Sequence, residues 1–105
     1  MVLAIDIGNT NIVIGCIQNK ECLFVERLST VHQKTEIEYA IDIKTVLDIY
    51  HIDVEQIEGG IISSVVPQVT NAVKLALEKI LKKNVMVVGA GVKTGLNIRM
   101  DNPSS

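Results

Sequence analysis

Ala-Ile-Asp-Ile-Gly-Asn-Thr-Asn, residues 4–11, is the most informative run in this sequence. It places one carboxylate, Asp6, inside an apolar segment that begins at Val2. Four turn-forming residues then lead into a second apolar segment, residues 12–17. Two apolar segments joined by a short polar turn are typical of a β-hairpin. The sequence therefore predicts a chain that opens with two antiparallel strands.

The same run contains groups suited to binding a nucleotide. A carboxylate within an apolar strand is costly unless it is hydrogen-bonded or lies near a positive charge, so Asp6 is a candidate ligand for Mg²⁺. Gly8 allows a phosphate or a backbone segment to come close. Asn9, Thr10 and Asn11 can donate hydrogen bonds in a turn of the kind that holds phosphate oxygens. An alternative stays open: Asp6 caps an Asx turn, and residues 8–11 are only a hairpin loop.

Downstream of the hairpin, the pattern predicts three more strands and two helices. Residues 35–51 have apolar side chains at helical spacing behind a capping box formed by Thr35 and Glu38. Pro67 marks the first turn of a second helix, whose apolar residues recur at steps of three and four and which Lys82 and Lys83 close. The remaining strands are expected at residues 22–28, 61–66 and 85–88.

The order β-β-β-α-β-α-β indicates an α/β fold with one mixed five-stranded sheet. Three strands would form an antiparallel meander, and two more would join it in parallel through crossover helices. This is the ribonuclease-H-like arrangement of actin-like ATPases. The 105 residues suit a single domain. A glycine-punctuated loop from residue 89 to 105 does not return to the sheet, which favours a chain that continues.

Composition and charge exclude several classes of partner. The chain has 12 acidic and 10 basic residues and a formal net charge of −2, without the basic cluster that nucleic-acid binding requires. Residues 59–73, the longest uncharged stretch, contain a proline and several polar residues, so no membrane span is expected. The start of the chain lacks the basic region of a signal peptide, which favours a cytoplasmic protein. Cys16 and Cys22 lack zinc-site spacing and are expected to be reduced, with no catalytic role.

Three further features have both a functional and a structural interpretation. Ser63 and Ser64 precede the second helix, where they could line a ligand cleft or simply cap the helix. Residues 89–95 are rich in glycine but match neither the Walker pattern nor the dinucleotide fingerprint, so chain punctuation explains them adequately. His32 and His51 have no partner at metal or triad spacing, and surface or capping roles are favoured.

Three motifs together resemble the type III pantothenate kinase family, once described as Bvg accessory factor proteins. They are DIGNTNIVIG at residues 6–15, SSVVP at 63–67 and GVKTGLNIRMDNP at 91–103. The first alone would indicate only the wider superfamily of acetate and sugar kinases, Hsp70 and actin. The other two make a different kinase or ATPase of that superfamily less favoured.

The resemblance implies ATP-dependent phosphorylation of pantothenate to 4'-phosphopantothenate, the first step of coenzyme A synthesis. It also implies a homodimer that uses Mg²⁺ with ATP and a monovalent cation, K⁺ or NH₄⁺. In the family, Asp6 would organise the metal, Asn9 would approach pantothenate, and Met100 stands where many relatives have a tyrosine that contacts pantothenate. The loop that binds the nucleotide phosphates matches Asp6, Ile7, Gly8, Asn9, Thr10, Asn11, Ile12 and Val13.

One part of the family pattern is missing from these 105 residues. The Gly-x-Asp-Arg motif, which supplies the general base and an arginine, normally follows the stretch that matches residues 102–105. The expected base would therefore lie beyond Ser105, and no catalytic residue is assigned. The resemblance thus implies that residues 1–105 are an N-terminal ribonuclease-H-like lobe, inactive without a C-terminal lobe. The alternative is a noncatalytic nucleotide-binding or regulatory module of the Bvg accessory factor type.

Overall fold

The structure, a computed structural model, describes residues 1–89. Within that range a three-stranded meander is followed by two helices that alternate with two further strands, and a short 3₁₀ helix, Val54–Gln56, precedes the fourth strand. The predicted element order is confirmed. The strands are β1 (Val2–Ile7), β2 (Asn11–Gln18), β3 (Glu21–Ser29), β4 (Gly59–Ser64) and β5 (Val85–Val88), and the helices are α1 (Glu36–Ile49) and α2 (Pro67–Leu81).

All five strands form one mixed sheet in the order β3-β2-β1-β4-β5. β1 pairs antiparallel with β2 and parallel with β4, so it lies at the centre. β2 pairs antiparallel with β3, and β4 pairs parallel with β5. The register places Asp6 between Val13 on one side and Ser63 on the other. The predicted mixed sheet is therefore confirmed.

Both helices cover one face of this sheet. Because successive side chains of a strand point to opposite faces, Leu3, Ile5 and Ile7 face the helices, whereas Ala4 and Asp6 face the other way. The first three belong to a single core cluster that also includes buried residues of α1 and α2. On the opposite face, large apolar side chains such as Leu23, Val25 and Met86 are exposed.

β4 begins and ends two residues earlier than predicted. Gly59 and Gly60, which resemble a turn in the sequence, pair with β1 instead. Here α2 packs close to the sheet: a Cβ on Gly60 would lie 3.3 Å from Leu77 Cδ1. Val65 and Val66 leave the strand because the backbone of Val66 turns to become the N-cap of α2.

The predicted start of α1 is confirmed in detail. The Thr35 hydroxyl accepts a hydrogen bond from the Glu38 amide, and the Glu38 carboxylate accepts one from the Thr35 amide. The helix ends at Ile49 rather than residue 51, since His51 adopts a left-handed backbone with φ of 59°. Within residues 1–89, neither α-helix is long and apolar enough to cross a bilayer.

Candidate functional site

The turn between β1 and β2 is held closed from two sides. The Gly8 amide donates to the Asn11 carbonyl at 2.9 Å across the turn. From the end of β3, the Thr30 amide donates to the Thr10 carbonyl at 2.9 Å and the Thr30 hydroxyl donates to the Gly8 carbonyl at 2.8 Å. Sequence analysis missed Thr30, because nothing in the local pattern connects it to a turn twenty residues earlier. The turn is thus a well-defined platform and not a loose loop.

The outer side of this turn presents unused hydrogen-bond donors. Asn9, Thr10 and Asn11 are exposed. The backbone amides and side chains of Asn9 and Thr10 have no hydrogen-bond partner within residues 1–89. At Gly8 a Cβ would lie only 3.2 Å from the Asn11 carbonyl oxygen, so a larger residue there would force the turn to shift. Backbone and side-chain donors gathered in one concave turn are suited to binding phosphate oxygens.

The apolar members of the predicted loop have a different role. Ile7 and Ile12 are 1% exposed, and their side chains belong to the core on the helix side of the sheet. Val13 is half-buried and lies opposite Asp6 across the β1–β2 pair. The Ile7 and Ile12 side chains therefore anchor the turn, and only their backbone could contribute to a nucleotide site.

Asp6 lies half-buried near the end of β1. Burial raises the pKa of its carboxyl group above the usual value, because the surroundings disfavour the charged form. Its carboxylate accepts no hydrogen bond from residues 1–89, so the described chain contains no Asx turn capped by this side chain. A cation at Asp6 would offset the unfavourable burial of the charge.

The described residues fit a magnesium ion that is bound mainly by substrate phosphates and waters. Residues 1–89 contain no cluster of three or more His, Cys, Asp or Glu side chains able to hold a metal by themselves. Mg²⁺ does not need one, since it is usually bound through one or two carboxylates together with waters and substrate phosphates. Asp6 lies beside the phosphate-binding candidate turn and has free oxygen ligands, as such a site requires.

The two serines at the end of β4 differ in environment. Ser64 Oγ accepts a hydrogen bond from the Val66 amide at 2.9 Å, which supports the structural interpretation of this residue as a turn cap before α2. Ser63 pairs with Asp6 in the parallel register and is 4% exposed, yet its hydroxyl has no hydrogen-bond partner in the described chain. The structure therefore brings Ser63, but not the Ser64 side chain, to the strand position beside Asp6.

A groove of about 510 Å³ opens where β4 and β5 end and α2 begins. Crevices at the carboxyl ends of parallel strands are common ligand sites. Its one basic lining residue, Lys74, is ion-paired with Glu78 at 3.2 Å. The groove is lined by Ser64, Pro67, Thr70, Asn71, Lys74, Val87, Val88 and Gly89. It lies on the same edge of the sheet as the β1–β2 turn.

Both histidines and both cysteines lie outside the β1–β2 turn, although His32 follows Thr30 by two residues. His32 and His51 are exposed, as predicted. Cys16 is buried, Cys22 is half-buried, and both are free thiols. None of these four side chains makes a hydrogen bond to the β1–β2 turn within residues 1–89.

The predictions for the end of the sequence concern residues outside the described range. Met100, the expected pantothenate contact, lies there, as do residues 90–95 of the glycine-rich segment and the final residue, Ser105. The general base expected beyond Ser105 therefore stays a prediction.

Comparison with known proteins shows which family this sequence is similar to. The sequence model of the type III pantothenate kinase family matches residues 2–105. A curated type III pantothenate kinase of Halalkalibacterium halodurans is 42% identical over 103 residues. The match covers 98% of this chain and 41% of that relative, so the chain spans less than half the relative's length.

Two solved kinase structures share the fold. A candidate N-acetylglucosamine kinase of Porphyromonas gingivalis superposes with a TM-score of 0.64 at 18% identity, covering 86% of this chain and 34% of that one. The ROK hexokinase of Thermus thermophilus gives a TM-score of 0.63 at 15% identity, covering 84% and 34%. At such identities the likeness concerns the fold alone, and it confirms the predicted ribonuclease-H-like fold.

Proposed function

We propose that this chain, which belongs to the type III pantothenate kinase family, is the phosphate-binding lobe of an enzyme that phosphorylates pantothenate with ATP. The product would be 4'-phosphopantothenate, on the route to coenzyme A. One observation carries the proposal: Asp6, next to the last residue of the central strand, lies beside a closed turn whose outward donors are unused within residues 1–89. This arrangement supplies a cation ligand and a phosphate cradle side by side.

The proposed chemistry makes modest demands on this lobe. Phosphoryl transfer depends mainly on positioning the phosphates and on neutralising the charge that they carry. The amides and side chains of Asn9 and Thr10 would hold phosphate oxygens, with Gly8 allowing close approach. Asp6 would hold Mg²⁺, which when bound supplies positive charge next to the phosphates. The buried side chains of Ile7 and Ile12 would keep the turn in place.

Other parts of the proposal concern groups beyond residues 1–89. We infer that Met100 and Asn9 lie near pantothenate, and that a second lobe, beyond Ser105, supplies the general base and the site for K⁺ or NH₄⁺. The coverage of the relative, 41%, supports a two-lobed enzyme of which residues 1–105 are the N-terminal lobe. Homodimerisation and a cytoplasmic location, where ATP is available, belong to the same proposal.

The direct test is pantothenate phosphorylation by the complete natural protein with ATP, Mg²⁺ and K⁺. We expect Asp6→Ala to lower kcat/KM at least about 100-fold, equivalent to about 2.7 kcal/mol of transition-state stabilisation. Asp48→Ala is the matched control, because Asp48 is an exposed carboxylate of α1 that pairs only with Lys44 within the described chain. Its activity should stay within twofold of the wild type.

Three outcomes would contradict the proposal in different ways. Full activity in Asp6→Ala would remove the metal role of Asp6. Phosphorylation of N-acetylglucosamine or glucose in place of pantothenate would overturn the substrate assignment. Nucleotide binding without turnover on any of these substrates would favour the regulatory module instead.

A further inference from the structure

Ser63 buries a polar hydroxyl that has no hydrogen-bond partner in the described chain. It is the one polar residue among the buried side chains of residues 1–89, with 4% of its surface exposed. Burying a hydroxyl without a hydrogen-bond partner costs free energy, and an alanine at the same place would avoid that cost. This hydroxyl makes no hydrogen bond within residues 1–89. An unpaired buried polar group of this kind calls for a partner beyond residues 1–89.

The position of Ser63 indicates where that partner lies. In the parallel β1–β4 pair its Cα is opposite that of Asp6, and both side chains lie on the sheet face away from the helices. Neighbouring strands are separated by roughly 4.8 Å, so the hydroxyl and the carboxylate lie side by side. They are nevertheless not hydrogen-bonded to each other. Two polar groups side by side on one face, neither of them hydrogen-bonded within residues 1–89, could both contact one small ligand.

The adjacent serine shows that this is not a general property of the strand end. Ser64 lies one residue further, so its side chain points to the opposite face, and its Oγ already accepts a hydrogen bond from Val66. The two serines have the same chemistry and nearly the same place in the sequence. Only Ser63 is both buried and without a partner in the described chain.

We propose that Ser63 is a positioning residue for the cation at Asp6. The Ser63 hydroxyl accepts a hydrogen bond from a water molecule bound to Mg²⁺. This inference rests on the proposed function, because it assumes that Asp6 holds Mg²⁺. Mg²⁺ gives up its waters reluctantly, so a protein usually contacts some of them rather than the ion itself. Outer contacts of this kind orient the metal site, and their loss typically weakens metal affinity 10- to 100-fold.

The test measures metal binding directly. Mn²⁺ replaces Mg²⁺ in the complete natural protein with a nonhydrolysable ATP analogue, and free Mn²⁺ is followed by electron paramagnetic resonance. We expect Ser63→Ala to raise the Kd for Mn²⁺ about tenfold. Ser64→Ala, the matched control, should lower the unfolding temperature but leave the Kd within twofold. Equal Kd values for Ser63→Ala and the wild type would overturn the inference.

Two further variants make the result decisive. Ser63→Cys keeps the side-chain shape with a slightly larger volume but replaces the hydroxyl by a poor hydrogen-bonding group, and it should weaken Mn²⁺ binding like Ser63→Ala even if the alanine variant is poorly folded. Asp6→Ala separates the two proposals. If Asp6→Ala leaves Mn²⁺ binding unchanged, the metal role of Asp6 fails. If it abolishes binding while both Ser63 variants bind normally, only the role of Ser63 fails.

Discussion

Asp6 places a charge where the fold alone would prefer a neutral side chain. Its carboxyl group is half-buried and lacks hydrogen-bond donors in the described chain, and burial raises its pKa. A residue that lowers stability but offers free oxygens to a ligand is typical of a functional site. At the scale of one residue, function and stability therefore oppose each other here.

We expect Asp6→Asn to stabilise the metal-free protein at neutral pH. Because the folded-state pKa is raised above the unfolded value of about 3.8, the wild type loses stability as pH rises from the unfolded pKa to the folded one. Asparagine has no charge to desolvate, so the difference between the proteins should vanish at acidic pH and reach a plateau above the folded pKa. Urea unfolding across this pH range measures it. A constant difference at all pH values would contradict the role of burial.

Gly8→Ala tests the tightness of the turn. The added Cβ would lie 3.2 Å from the Asn11 carbonyl oxygen, so the backbone must shift at the place where the Gly8 amide bonds that same oxygen. We expect a loss of about 1 kcal/mol in unfolding free energy, and at least a tenfold rise in the Kd for ATP. Gly89→Ala is the control, since nothing within 4 Å would meet its Cβ. Unchanged ATP affinity in Gly8→Ala would argue against phosphate binding at this turn.

At the scale of elements, the end of β3 positions the turn between β1 and β2. Thr30 contacts the turn twice, through its amide and its hydroxyl. The adjacent Val31 is held by Tyr39, whose buried ring places a hydroxyl that donates to the Val31 carbonyl at 2.7 Å. The first turn of α1 thus holds Val31 in place, and the neighbouring Thr30 holds the candidate phosphate turn.

Thr30→Val should loosen the turn without changing the shape of the side chain. The variant loses the hydroxyl bond to the Gly8 carbonyl, so we expect about 1 kcal/mol lower stability and several-fold weaker ATP binding. Thr45→Val is the control: the Thr45 hydroxyl also donates to a backbone carbonyl, that of Ile41, but on the exposed side of α1. Calorimetry and ATP titration of both variants would separate a local loss of stability from a loss of the site.

At the scale of the whole molecule, one sheet face packs against two helices, whereas the other face is only partly covered. This second face carries both Asp6 and exposed apolar residues such as Val25 and Met86. In the proposed two-lobed enzyme, the nucleotide lies between lobes, and this chain supplies one side of that cleft. Its 41% share of the relative is consistent with such a division.

We expect residues 1–105 alone to bind ATP weakly and to phosphorylate no pantothenate. The physical reason is that positioning of both substrates supplies most of the rate in phosphoryl transfer, and one side of a cleft positions neither of them well. A coupled assay that detects ADP release would measure this, with the complete natural protein as the positive control. Turnover by residues 1–105 at a rate near that of the complete protein would overturn the two-lobed proposal.

Local patterns in the sequence were sufficient for much of this structure. The hairpin, the capping box at Thr35, the helix that begins at Pro67 and the order of all elements depend on contacts between residues close in the chain. Such contacts are visible in the sequence as periodic apolar spacing and as turn residues. The candidate phosphate turn, residues 8–11, was also visible, because its glycine and polar residues interrupt two apolar segments.

Other features depend on residues that are distant in the sequence and meet only in the folded chain. The sequence by itself determined the elements, their order and the carboxylate beside the turn. Tertiary structure alone decided that Thr30 closes the turn, that Gly59 and Gly60 enter β4 beneath α2, and that Ser63 rather than Ser64 lies beside Asp6. The physical reason is the register between β1 and β4: a shift of one residue would exchange the two serines between faces, and only packing of the core against both helices specifies it.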